Sequence, residues 1–539
     1  MMKLRTSLRA LGGIALILAP ALAGAQRAAP PKTQDSPVMR IPDIGQSAAM
    51  WRDDPATARP ERAPRRFVAR RTGIFAGRKL AYSVVAEDSV LRDGAGDGIG
   101  SIFSFSYIKE APRTEQRPVI FIFNGGPGSS SVWLHMGVLG PRKVSFRDIQ
   151  PAQVPPFHLV DNPDSVLAVA DLVFIDPVGT GFSRYWGKGR PSDFYGREED
   201  AAATVRFING WLRKHGRWNS PKFLLGESYG TYRANLVARR LMGGFLDGTL
   251  KGVSLNGVVL IGGNGGLAMP RGNDQFLVTF TTMAATAWYH DRVDKAGSDF
   301  AAFIAEAGRF AREELVPALD HWDTLDSAAR EAVARRHARF TGLGTAYLLS
   351  KGLRVMPSDF AGELLRDKGV ALGFYDSRYV LPSAGSIGDP VADDPAMGQY
   401  SAAFIGAFNT YVRDELGVTI DDDYVAIDWI NINLPWAYGP RQPGAAAEAD
   451  LNSGDPGGDL AAMMRRNPDL RLMSIQGWYD LFGAVGSADY GIAQRHLPSD
   501  RVTARAYQSG HMAYVGAAGI AMAADLKQFI LKASVPAPR

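Results

Sequence analysis

The stretch LLGESYGTY at residues 224–232 sets Ser228 between Gly226 and Gly230, after an apolar run and before a helical pattern. A sharp strand-to-helix turn that lifts a serine above a sheet edge has no room for side chains two positions either side, which gives G-x-S-x-G. The plainer alternative is a glycine-flanked turn with no chemistry. A serine hydroxyl becomes a useful nucleophile only when a base takes its proton, so a histidine and an orienting carboxylate are required elsewhere. On a strand–elbow–helix unit they follow in the order Ser, Asp or Glu, His. Asp480 ends RLMSIQGWYD, and His511 lies in YQSGHMAY after the β-like RVTARAY. Of the remaining histidines, His135, His158, His215, His290, His321, His337 and His496, only His496 also follows Asp480. A lone histidine is generally a surface or satisfied core group, and His511 is distinguished by its Gly-flanked loop after the last strand.

Acyl transfer puts negative charge on a carbonyl oxygen, so exposed amide donors are needed. The loop FNGGPGSSS at residues 123–131 follows an apolar strand pattern and can present backbone N–H groups without side-chain obstruction. One donor is expected from this loop and one from Tyr229, the residue after the serine. A phosphate cradle is disfavoured, because the loop has no lysine and no G-x-x-x-x-G-K pattern.

These groups need a scaffold. Solid apolar runs at 119–123, 172–175, 223–225, 258–261 and 472–475 predict strands covered on both faces, as in a parallel sheet. Ahead of them, RKLAYSVVAE and SIFSFSYIKE alternate with the period of half-buried antiparallel strands. Apolar faces at Val205, Ile208, Trp211 and Leu212, and at Leu236, Val237 and Leu241, predict helices between the strands, so the core is α/β. Residues 266–444 break this rhythm, with helical patterns at 300–310 and 326–340, and read as an insertion over the carboxyl edge of the sheet or as a separate helical domain.

The 539 residues exceed the needs of one compact core. Sixty basic against 55 acidic residues leave a charge of +5, with no dense Lys/Arg block interleaved with aromatics to suggest nucleic acid. Lys3, Arg5 and Arg9 before an apolar run, with Ala23-Gly24-Ala25 after it, read as a signal peptide over 1–25 and a periplasmic or secreted protein; an uncleaved anchor helix is the alternative. No later apolar stretch reaches the ~20 residues of a membrane span. Residues 26–66 read as a Pro/Ala-rich flexible segment. The absence of cysteine excludes disulfides, thiol catalysis and cysteine metal sites.

NGGPGSSS, DPVGTGFS at residues 176–183, GESYGTY and the late GHM together resemble the serine carboxypeptidase family. That resemblance implies an α/β-hydrolase fold: a central mostly parallel sheet, core segments at 67–265 and 445–539, and a large, partly helical cap insertion at 266–444. It implies an exported serine-type carboxypeptidase acting on peptides through an acyl-enzyme. Ser228 is the implied nucleophile, His511 the base and Asp480 its orienter, with the amides of Gly126 and Tyr229 as oxyanion donors and Asn124 and Glu227 holding the substrate carboxylate. The chain departs from the family at Ser129, where a cysteine is usual, and at GWYD, which keeps one acid of two. It departs again at Ile122, where a tryptophan is usual, and at Val138, where a glutamate is usual. Two adjacent carboxyl groups share a proton, whereas a single one ionises more readily. Glu227 is therefore expected to hold its proton less tightly here, with preference for a free C-terminus weakened or supplied by another residue.

An esterase, acyltransferase or aminopeptidase on the same scaffold, or a catalytically silent binding protein, remain the alternatives. No metal or organic cofactor is indicated, since no H-E-x-x-H pair occurs. The acidic run at 421–423 reads as a solvated loop before it reads as a calcium site. Oligomeric state leaves no mark in the sequence.

Overall fold

The computed structural model describes residues 59–110, 117–145, 154–244, 249–295, 297–385, 389, 391, 393–438 and 456–535. The expected signal peptide and most of the Pro/Ala-rich segment lie outside the described residues.

The chain enters the main sheet through an antiparallel meander, β1 (Arg66–Phe75), β2 (Arg78–Arg92) and β3 (Gly98–Lys109). The solid apolar runs follow as β4 (Val119–Phe123), β5 (Asp171–Ile175), β6 (Lys222–Glu227), β7 (Gly257–Ile261) and β8 (Arg471–Gly477), closed by β9 (Val502–Tyr507). Their order is β1-β2-β3-β5-β4-β6-β7-β8-β9, antiparallel as far as the β3–β5 pair and parallel from β5 onward. This is a mostly parallel sheet, as the apolar runs predicted, and the α/β-hydrolase fold that the resemblance implied.

Those runs are solid because both faces are covered. Ile120 and Ile122 of β4, Leu172 and Phe174 of β5, and Val259 and Ile261 of β7 face one apolar cluster. Their neighbours Val119, Phe121, Phe123, Val173, Ile175, Val258 and Leu260 face another. The two-residue period of a strand sends alternate side chains to opposite faces, so a strand between two cores has no polar position to spare. Helices α1 (Arg197–His215) and α2 (Tyr229–Met242) cover the second face through Trp211, Leu212, Leu236, Val237 and Leu241.

Three helices from the region after β7, α3 (Asp274–Tyr289), α4 (Phe300–Phe310) and α5 (Ser327–Thr341), form a third apolar cluster. It extends onto Tyr479 and Leu481, just beyond the carboxyl end of β8. Helix α6 (Pro395–Thr410) packs instead against the first face, as does the final helix α7 (Ala518–Ala533). Asp422, in the acidic run, pairs with Arg62 and Arg65.

One group in the third cluster works against stability. His337 is buried against Phe280 and Phe310, and neither ring nitrogen has a partner among the described residues. Burial pushes its pKa down from 6.5 to about 3. Between those values the unfolded chain takes a proton that the folded one refuses, so stability falls with pH by up to about 1.4 kcal/mol per unit. His337→Leu is expected to remove that slope, with a gain in urea midpoint that is larger at pH 5 than at pH 8. An equal shift at both values would contradict the assignment.

Candidate active site

Ser228 sits where β6 ends and α2 begins, with φ 59° and ψ −127°, a left-handed conformation that is strained for a serine. The flanking glycines are needed for close approach. A Cβ on Gly226 would lie 2.0 Å from the Gly230 carbonyl oxygen, and one on Gly230 would lie 2.9 Å from the carbonyl oxygens of both Phe123 and Asn124. The elbow reading of G-x-S-x-G therefore fits the backbone, and the relaxed-turn alternative does not.

The end of β7 links the serine to the other two groups. The Ser228 amide donates to the Ile261 carbonyl at 2.9 Å, and the next residue, Gly262, lies against His511: a Cβ there would be 3.2 Å from ring atoms Cε1 and Nδ1. His511 Nδ1 is 2.8 Å from Asp480 Oδ2. Asp480 is fully buried, and its Oδ1 accepts from the amides of Phe482 and Gly483, each at 2.8 Å. With one oxygen held by the main chain, the other is fixed towards the imidazole. Burial disfavours the protonated ring, but the Asp480 carboxylate beside it and their hydrogen bond, with Glu227 and Asp394 farther out, outweigh burial and hold the His511 pKa above its ordinary value. His496, the competing histidine, precedes β9 and so lies towards the opposite, amino end of the parallel strands.

A segment that sequence reasoning left undifferentiated within the 266–444 insertion braces both loops. The Tyr375 carbonyl accepts from the His511 amide at 2.6 Å, the Phe374 carbonyl from the Leu481 amide at 3.0 Å, and the Tyr479 carbonyl from the Ser377 amide at 2.9 Å. The segment is itself anchored by buried Asp394, whose Oδ2 accepts from the amides of Phe374 and Tyr375. The Tyr375 ring meets His511 edge to face at 5.2 Å. No sequence pattern marks these contacts, because all but the ring contact run through main-chain atoms.

On the other side of the serine, the loop after β4 lies against the elbow. Neither the Gly126 amide nor the Tyr229 amide donates to a main-chain carbonyl among the described residues. Tyr229 is the first residue of α2, where a helix leaves its N–H groups unpaired and its dipole favours negative charge.

Asn124 and Glu227 are in contact: Asn124 Nδ2 donates to Glu227 Oε2 at 2.7 Å. A third group, absent from the sequence reading, joins them. Tyr514 Oη donates to the same Oε2 at 2.9 Å. Its ring stands beside Val138, both lining one cavity of about 320 Å³, and takes space that Gly137 leaves open, since a Cβ there would lie 2.4 Å from the ring. The available signal was a tyrosine three residues past His511, too common a pattern to single out.

The expectation for Glu227 is corrected here. Lack of a second carboxylate at Val138 does not release its proton: burial is the largest of the effects that together raise its pKa from 4.5 to about 7. His511 and the hydrogen bonds from Tyr514 and Asn124 pull the other way, and Asp480 adds to the rise. Both donors go to Oε2, so Oε1 is left to carry the proton and donate it.

Near neutrality this site therefore sets an imidazole paired with a carboxylate, and an elbow serine, against the same end of β7, with two amides that have no main-chain acceptor among the described residues and a buried acid next to them. A family model described as serine carboxypeptidase matches residues 100–315. The likeness to that family is confined to this segment. It contains Asn124, Gly126, Glu227, Ser228 and Tyr229, and ends before Asp480 and His511. Serine carboxypeptidase-like 8 of Arabidopsis thaliana is 29% identical over 141 residues, covering 25% of this chain and 30% of the relative. The pheromone-processing carboxypeptidase kex1 of Pyrenophora tritici-repentis is 30% identical over 237 residues, covering 42% of this chain and 33% of the relative. The chain thus spans about a third of the length of the curated relatives it matches. Among solved structures, a prohormone-processing carboxypeptidase from Saccharomyces cerevisiae aligns over 83% of this chain and 90% of its own, at 15% identity and a TM-score of 0.44.

Proposed function

We propose that the protein is an exported serine-type carboxypeptidase that cleaves peptides through an acyl-enzyme. Ser228 attacks the scissile carbonyl while His511 takes its proton, Asp480 holds the imidazole and stabilises it once charged, and the amides of Gly126 and Tyr229 receive the oxyanion. His511 then returns the proton to the leaving amine, and water repeats the cycle on the ester. Export is supported by the basic and apolar pattern of residues 1–25.

The single observation that carries the exopeptidase reading is the Asn124–Glu227–Tyr514 cluster. A neutral Glu227 donates to a substrate carboxylate from Oε1, whereas an ionised one repels it. Tyr514 stays a donor across the working range, since burial and the Glu227 charge raise its pKa well above the ordinary value. It stands in for the carboxyl group missing at Val138.

The test compares kcat/KM for an N-blocked dipeptide and its C-terminal amide between pH 5 and 9. The Glu227 pKa of about 7 means that the proton is present below neutrality and lost above it. The preference for the free acid is expected to hold below pH 7 and to decline by up to about tenfold per unit above it. The acid limb, set by loss of the proton from His511, is expected for both substrates. Because His511 and Glu227 interact, the two limbs report the pair. Glu227→Gln, a neutral donor at every pH, is expected to flatten the alkaline limb. A preference for the amide, or a ratio independent of pH, would count against this reading.

A further inference from the structure

The loop that would supply the Gly126 donor is held only in part by its own hydrogen bonds. Gly125 and Gly126 give its backbone wide conformational freedom, and Gly126 itself has φ 97°. Two successive peptide planes must be fixed for the Gly126 N–H to keep its direction. The second, between Gly125 and Gly126, is held where the Gly125 carbonyl accepts from the Ser129 amide at 3.2 Å. The first, between Asn124 and Gly125, is held by a side chain that the family motif does not account for. Arg233, on the second turn of α2, sends Nη1 to the Asn124 carbonyl at 2.5 Å.

Arg233 is in turn held through Nε and Nη1 and by two aromatic rings, while Nη2 has no partner among the described residues. Its side chain is fully buried, and its Nε donates to Asp200 Oδ2 at 2.6 Å. The guanidinium lies over the Phe123 ring at 5.4 Å and the Tyr229 ring at 5.3 Å, the residues before the loop and after the serine. Asp200 belongs to the first turn of α1. A buried ion pair is costly to form and often replaceable by apolar side chains without loss of stability, so its presence at this point calls for another use. Here a rigid planar fork ties the start of α1, the elbow helix and the loop carbonyl together. Lysine, a flexible point charge, cannot reproduce that geometry.

We infer that Arg233, braced by Asp200, is a positioning residue that fixes the Asn124–Gly125 peptide and thereby aims the Gly126 amide at the developing oxyanion. The inference rests on the proposed role of Ser228 and the Gly126 amide, and concerns what keeps that amide in register.

The test uses p-nitrophenyl acetate, an acyl donor without a C-terminal carboxylate, on the full-length protein, with kcat expressed per serine titrated to completion by a fluorophosphonate. Arg233→Met alone strands the Asp200 carboxylate and can unfold the chain, so the decisive variant is the double change Asp200→Leu with Arg233→Met, which removes both charges. A misaimed oxyanion donor costs less than an absent one, which typically lowers kcat by about 10²- to 10³-fold. The double variant is expected to lose about 10- to 100-fold in kcat with KM little changed, at a melting temperature near that of the parent. Arg233→Lys is expected to fall between the two. If the double variant, folded and titratable, keeps kcat within about twofold of the parent, the pair is merely structural and the inference fails. Should the parent itself not react at Ser228, the underlying view of the site fails instead, and the two failures are told apart by that control.

Discussion

Replacing Ser228 by alanine is expected to lower kcat on any acyl substrate by about 10⁴- to 10⁶-fold and to abolish covalent labelling by a fluorophosphonate. The loss is so large because His511 and Asp480 have no other nucleophile to deprotonate: a base 2.8 Å from its orienting carboxylate assists nothing once the hydroxyl is gone. What survives is the contribution of the two amides and of substrate binding to the attack of water. The variant should fold normally, since Ser228 is only partly buried and its side chain does not cap the elbow helix. Alanine tolerates the positive φ no better than serine does, so the backbone strain is unchanged. Labelling of Ser228→Ala at another residue, or residual turnover within about 100-fold of the parent, would remove Ser228 from the mechanism and return the GESYG turn to a structural role.

Much of the scaffold could be read in advance because it obeys periodicity. Residues such as Val119, Phe121 and Phe123 turn to one core while Ile120 and Ile122 turn to the other, so an unbroken apolar run of strand length admits few arrangements besides a sheet buried on both faces. The elbow was equally legible, since Gly226 and Gly230 are required by distances of 2.0 and 2.9 Å to neighbouring carbonyl oxygens. Asp480 could be named because it ends an apolar strand pattern, and His511 because only it and His496 follow Asp480 and it lies in a Gly-flanked loop. Tyr514, Arg233 and the Phe374–Tyr375 brace could not be named from a single sequence. Their effects depend on which atom of a distant residue they reach, and no spacing encodes that. Glu227 was misjudged for a related reason: the expectation counted charged neighbours, whereas its proton is held chiefly by burial at 3% exposure. Charge partners leave traces in motifs, but desolvation is a property of the assembled fold.

The second large effect is expected at Asp480. Asparagine keeps an oxygen for the amides of Phe482 and Gly483, so the loop after β8 should retain its shape. At the Oδ2 position, however, it presents an NH₂ to His511 Nδ1. Two donors cannot share that contact, so the imidazole turns to its other tautomer and places its proton on Nε2, where the hydroxyl of Ser228 needs an acceptor. The same exchange also removes the negative charge that stabilises imidazolium as it forms. Asp480→Asn is therefore expected to lower kcat by about 10⁴-fold at neutral pH while the melting temperature changes little. Loss of that carboxylate also removes the leading charge that holds the His511 pKa up against burial, so His511 should titrate lower in the variant. An NMR titration of the His511 ring measures that shift independently of turnover. An unshifted ring together with a kcat within about tenfold of the parent would mean that another group orients the base, and Asp480 would then be a structural carboxylate of the loop.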